Sequence, residues 1–129
     1  MDHFLVPVSP GEVLDKITIL EIKSERMEDQ AKLANVRSEL ALLTDTWSAA
    51  VREDEKIAGL RADLRKVNEA LWDIEDAIRD EERQQSFGER FVELARGVYF
   101  TNDRRSAIKK ELNLYLGSKI VEEKSYQAY

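Results

Sequence analysis

Apolar residues recur every three or four positions along four stretches of the chain, the spacing of helices that bury one face. The first seam is Val13, Ile17, Leu20, Ser24 and Met27, and the second is Leu33, Val36, Leu40, Leu43 and Trp47. The third runs through Ile57, Leu60, Leu64, Val67, Leu71, Ile74 and Ile78. The fourth holds Phe91, Leu94, Val98, Thr101, Arg105, Ile108, Leu112 and Tyr115. Leu14, Ile19 and Ile22 fall outside the first seam, so that helix is apolar over more than one face and is expected to sit between neighbours.

Local signals divide the seams. Ser9-Pro10-Gly11-Glu12 is a helix start: Ser9 can accept from the amide of Glu12, Glu12 can reach back to Ser9, and Pro10 takes the first helical position at no cost. Asp29 can cap the second helix, and small and polar residues from Thr44 to Glu55 predict a turn near Arg52. Ser86-Phe87-Gly88-Glu89 repeats the capping-box pattern before the fourth helix, and Gly117 is placed to stop it. His3 to Val8 is apolar and interrupted by Pro7, which predicts an extended arm lying on the helices, with a short edge strand as the alternative. Ile120, Val121, Tyr126 and Tyr129 are the expected anchors of a short C-terminal tail. These elements predict an all-α fold in one domain over residues 1–129: an antiparallel bundle of four main helices with an extended N-terminal arm and a short tail. An extended coiled-coil hairpin that dimerises is the alternative.

Composition narrows the function classes. With 129 residues the chain has the usual size of one domain and can bury a core unaided. It has no cysteine, which excludes a disulfide framework, a zinc thiolate site and a cysteine nucleophile. The net charge of −6 argues against nucleic acid and anionic membranes as partners. No apolar run approaches membrane-spanning length, and the start makes a poor signal peptide, so a cytoplasmic protein is expected. His3 is the only histidine and lies near the terminus, which removes a serine–histidine triad.

Antiparallel hairpins allow a register estimate. Counting outward from Asp29, Arg52 and Gln85 pairs Glu21 with Arg37, Arg37 with Val67, and Val67 with Asp103. One level is therefore expected to hold Glu21, Arg37, Asn68, Glu69, Asn102 and Arg105, with Arg105 on a seam position that should be aliphatic. Such a layer can be structural, fixing helix register through an arginine–carboxylate contact. It can also be a pocket in which Arg37 and Arg105 fork onto an anion. Trp72 lies off its seam and is expected opposite Gly97 and Tyr99, where a large ring would explain a mid-helix glycine. The alternative for these three residues is a self-association surface.

Carboxylate pairs at Glu21/Glu25, Glu69/Asp73 and Asp76/Asp80 raise Mg²⁺ chemistry. Helical nucleoside-triphosphate pyrophosphatases carry E-x-x-E followed by E-x-x-D. Here Glu25-x-x-Glu28 has no second half at suitable spacing, so neither a metal nor another cofactor is expected. Asn102-Asp103-Arg104-Arg105 and Lys109-Lys110 form the densest basic segment, expected as a solvated face with ion pairs.

Several strings together resemble a known family: SPGEVLDKITILEIKSERM (Ser9 to Met27), AKLANVRSEL (Ala31 to Leu40), LWDIEDAIR (Leu71 to Arg79), ARGVYFTNDRRSAIKKEL (Ala95 to Leu112) and EEKSY (Glu122 to Tyr126). They resemble a family of short bacterial proteins that share a domain of unknown function. The resemblance implies a bacterial, stand-alone, mostly helical protein, and brings no activity, cofactor or catalytic residue. The expected function is a non-catalytic module that self-associates or binds a protein partner. The alternative is a binder or enzyme for an anionic metabolite or nucleotide, built on the Arg/Glu/Asn layer.

Overall fold

A computed structural model describes residues 2–129. Four helices account for the regular structure: α1 (Pro10–Arg26), α2 (Gln30–Ala50), α3 (Glu55–Arg83) and α4 (Glu89–Tyr115). No strand occurs among the described residues, so the fold is an all-α bundle. Among the described residues no helix is long and apolar enough to cross a membrane.

The helix ends follow from side-chain chemistry. Ser9 Oγ accepts from the Glu12 amide at 3.2 Å, Asp29 Oδ1 from Lys32 at 3.0 Å, and Asp54 Oδ1 from Ile57 at 2.9 Å. Each satisfies an amide that a helix start leaves free. Two local expectations need correction. Glu12 does not reach back to Ser9, because its carboxylate accepts from Lys109 Nζ at 2.9 Å. Ser86 does not cap α4, which begins after Gly88 with no side-chain cap. Ser86 instead belongs to the end of α3, where Gln85 adopts φ +57° and the Ser86 amide returns to Glu81 O. Gly117 ends α4 in the same way at φ +66°, with Ser118 donating to Asn113 O. Both are left-handed caps that recover orphan carbonyls.

α1 is the centre of the packing. Its backbone comes close to α2, α3 and α4, whereas the backbone of α2 approaches only α1. That explains an α1 that is apolar on several sides, with Leu14, Ile17, Leu20 and Ile22 all buried. The main core joins Leu14 and Ile17 to Trp47, Ile57, Leu60, Leu64, Val67, Ile108 and Leu112. α1 meets α4 at close range: the Gly11 amide donates to Asn113 Oδ1 at 2.7 Å, and a Cβ on Gly11 would lie 2.7 Å from Lys109 O.

α3 and α4 outreach the other helices, at about 43 and 40 Å against about 25 Å for α1, taking 1.5 Å per residue. The end of α1 is marked by Arg26, which donates to Asp73 Oδ1 at 2.7 Å. Beyond that level α3 and α4 continue as a two-helix hairpin. Ile74, Ile78 and Phe91 are accordingly half-buried, because one partner helix covers less of a seam than two.

The termini differ from expectation. Residues 2–8 do not lie on the bundle; Phe4, Leu5 and Val6 are 77%, 89% and 67% exposed. No edge strand forms there either. The tail is irregular and held along α4 mainly by charge. Glu122 pairs with Lys109, Glu123 with Lys110, and both Lys124 and Tyr129 with Asp103. Of the expected apolar anchors, Ile120, Tyr126 and Tyr129 are exposed, although the Tyr129 ring also lies against Tyr99 and Phe100.

Candidate functional site

A helix in contact with three others has little dry surface to spare, yet α1 buries two polar residues, Asp15 and Thr18. A buried carboxylate must be paired and hydrogen-bonded to persist. Asn68 of α3 supplies the first contacts, its Nδ2 donating to Asp15 Oδ1 at 2.9 Å and to Thr18 Oγ1 at 3.0 Å. The Thr18 hydroxyl in turn donates to Asp15 O. α4 supplies the charge: Lys109 Nζ lies 3.9 Å from Asp15 Oδ2, and Arg105 Nε lies 3.8 Å from Asp15 Oδ1.

The two cations are held differently. Lys109 Nζ donates to Glu12 and sits 2.9 Å from Glu122 Oε2 of the tail. Burial pushes its pKa down, but the hydrogen bonds to Glu12 and Glu122 and the field of Asp15 outweigh that and leave it raised above its ordinary value of 10.5. Arg105 has Asp15 alone as an ion-pair partner among the described residues. Its side chain is 30% exposed, and its buried Nε makes no hydrogen bond. The other half-buried arginines, Arg61 and Arg65, are hydrogen-bonded to Glu53 and Glu21 and to Glu69 and Glu25 respectively.

Arg105 forms part of a groove of about 580 Å³ where α1, α3 and α4 meet. Asn68 and Asn102 lie beside it, Ile19, Leu71 and Trp72 provide apolar wall, and Glu75, Asp76 and Arg79 continue the wall along α3. Trp72 is half-buried, with the Arg26 guanidinium 5.8 Å from its ring centroid. Glu75 and Arg79 pair with each other at 3.2 Å, whereas Asp76 has no ion-pair or hydrogen-bond partner among the described residues. A groove of this volume with convergent amides, an indole and charged groups of both signs suits a small molecule.

The six residues expected at one level divide among three places. Asn68, Asn102 and Arg105 share the groove. Glu21 and Glu69 lie apart from it, converging with Glu25 on Arg65, so arginine neutralises three of the carboxylates that had raised Mg²⁺ chemistry. Among the described residues no group of three potential metal ligands is placed to hold an ion. Arg37 is exposed on α2 and contacts none of the others, because the backbone of α2 does not approach α3. The α3–α4 register itself is as expected, with Tyr115 on Asp54 and Gly97 beside Ile74. At Gly97, however, the close neighbour is Ile74, whose Cδ1 would lie 3.2 Å from an added Cβ, and not Trp72. Tyr99 is exposed and stacks with Phe100 and Tyr129.

Sequence reasoning missed Asp15, Thr18 and Lys109, and placed Lys109 on a solvated face. Helical spacing carried a signal for all three. Asp15 and Thr18 precede buried Ile22 by seven and four positions, and Lys109 stands four after Arg105 and three before Leu112.

The chain belongs to the family described as "Family of unknown function (DUF6165)", whose model matches residues 4–129. No curated protein and no solved structure matches it.

Proposed function

We propose that this member of the DUF6165 family binds a small anionic ligand in the groove between α1, α3 and α4, with Arg105 as the primary contact. The observation that carries this reading is the state of Arg105: a half-buried guanidinium in a groove, without a hydrogen bond, in a chain whose other half-buried arginines are all engaged. Planar guanidinium donors match carboxylate and phosphate oxygens in pairs. Asn68 and Asn102 add amide donors and acceptors at the same point. No nucleophile–base pair accompanies them, so the reading is binding without a chemical step.

Arg105→Met separates this role from a structural one. Asp15 keeps its bond from Asn68 and its proximity to Lys109, so the variant should fold with a stability within about 1 kcal/mol of wild type. It should also lose the thermal shift that wild type shows with its best ligand in a screen of carboxylates, phosphates and nucleotides. A loss near 3 kcal/mol in chemical denaturation, the scale of a broken buried ion pair, would assign Arg105 to the scaffold instead.

A second reading, self-association, rests on the arm. Phe4, Leu5 and Val6 present a contiguous apolar segment to solvent, a feature that marks interaction surfaces. Sedimentation velocity should show a concentration-dependent dimer for the full chain and a monomer after deletion of residues 2–8. Identical sedimentation of the two would remove the arm from any interface.

A further inference from the structure

The groove holds two arginines and two carboxylates, with Asp15 buried behind Arg105. Such a balance opposes a polyphosphate, whose several charges would face Glu75, Asp76 and Asp15 while one guanidinium, itself beside Asp15, answered them. Arg79 is already engaged by Glu75. What remains without a hydrogen bond along the groove is one cation, Arg105, whose Nε lies 3.8 Å from the buried Asp15 and which sits beside Asn68 and Asn102, and one anion, Asp76, farther along α3. The eight positions from Asn68 to Asp76 correspond to about 12 Å of helix rise. Side chains on a helix lean toward its N-terminus, so those of Asn68 and Asp76 shift together and keep this spacing. Leu71, Trp72 and Ile19 make the wall of the groove between the two charges apolar.

Resting on the anion-binding reading, we infer that the ligand class is an elongated zwitterion: a carboxylate on Arg105, an apolar or planar body along Leu71 and Trp72, and an ammonium at Asp76. The complementarity is electrostatic at both ends and dry in the middle. It rejects simple anions by leaving Asp76 unanswered and simple amines by leaving Arg105 unanswered.

The probes are 8-aminooctanoate, about 10 Å between its charged ends when extended, and octanoate, which lacks the ammonium. Titration of ¹⁵N-labelled full chain reads the Trp72 indole and the Asn68 and Asn102 side-chain amides directly. 8-Aminooctanoate should move these signals and bind about threefold to fivefold more tightly than octanoate, the range of an exposed ion pair. Asp76→Asn, a change at an exposed residue, should abolish that advantage and leave octanoate binding as it was. Arg105→Met should remove both probes.

Equal binding of the two probes, or an advantage that survives Asp76→Asn, overturns the zwitterion. If those same results still require Arg105, anion binding in the groove stands. If neither probe moves the three signals but phosphate or another anion does so through Arg105, the zwitterion fails and the broader reading survives. Silence toward every anion sinks both.

Discussion

Lys109 carries an ammonium that is 6% exposed and faces Glu12, Asp15 and Glu122. It joins α1, α4 and the tail, so its loss should cost more than a surface pair. Lys109→Met leaves Asp15 buried with less charge compensation and should destabilise the chain by about 3 kcal/mol in urea denaturation. The pH dependence has a definite sign. A folded pKa raised above 10.5 means that the contribution of Lys109 is fully present below that pH and is lost as pH rises through the folded value. The stability gap between wild type and Lys109→Met should therefore narrow above about pH 10.5. Tyr115 and Tyr129, raised by their hydrogen bonds to Asp54 and Asp103, titrate in both proteins and cancel in the difference. A constant gap from pH 8 to 12 would show that the lysine is not held as its contacts indicate.

At the scale of elements, the two long helices end alike but with different residues. Gly117 takes its positive φ without strain, whereas Gln85 takes φ +57° with a side chain. A non-glycine residue in this region costs roughly 1–2 kcal/mol, and glycine returns about 0.5–1 kcal/mol of that in unfolded-state entropy. Gln85→Gly should thus stabilise the α3–α4 turn by about 0.5 kcal/mol and raise Tm by about 2 °C, measured by calorimetry. A lower Tm would indicate that the Gln85 side chain, which donates to Glu82 O at 3.0 Å, matters more than its backbone.

At the scale of the molecule, α1 is a spine with α2 on one side and the α3–α4 hairpin on the other. α2 buries only Leu33, Val36 and Trp47, and its backbone runs close to a single helix. Local opening follows such differences in burial. In native-state hydrogen exchange, central α2 amides should show protection at least about tenfold lower than those of α3 between Ile57 and Asn68. Equal protection would mean that α2 opens only with the whole core. The groove sits away from α2, so opening of this helix leaves Arg105, Asn68 and Asn102 in place.

Periodicity by itself determined the four helices, because apolar spacing and capping groups are local. Ser9, Asp29 and Gly117 mark ends through amides or carbonyls a few residues away. Hairpin counting also recovered the α3–α4 register, since a short turn leaves two long seams one way to align. It brought Asn68, Asn102 and Arg105 together for that reason. Arg37 failed because counting assumes that consecutive helices touch, and only packing decided that α2 turns away from α3. Packing likewise decided that Ile74, one face round from Trp72, meets Gly97. Asp15, Thr18 and Lys109 were present in the pattern but became a polar centre only once three helices enclosed them. Whether a charge is bound or free depends on which neighbours arrive in space. Tertiary structure therefore distinguished Arg65, surrounded by carboxylates, from Arg105, facing the groove without a hydrogen bond.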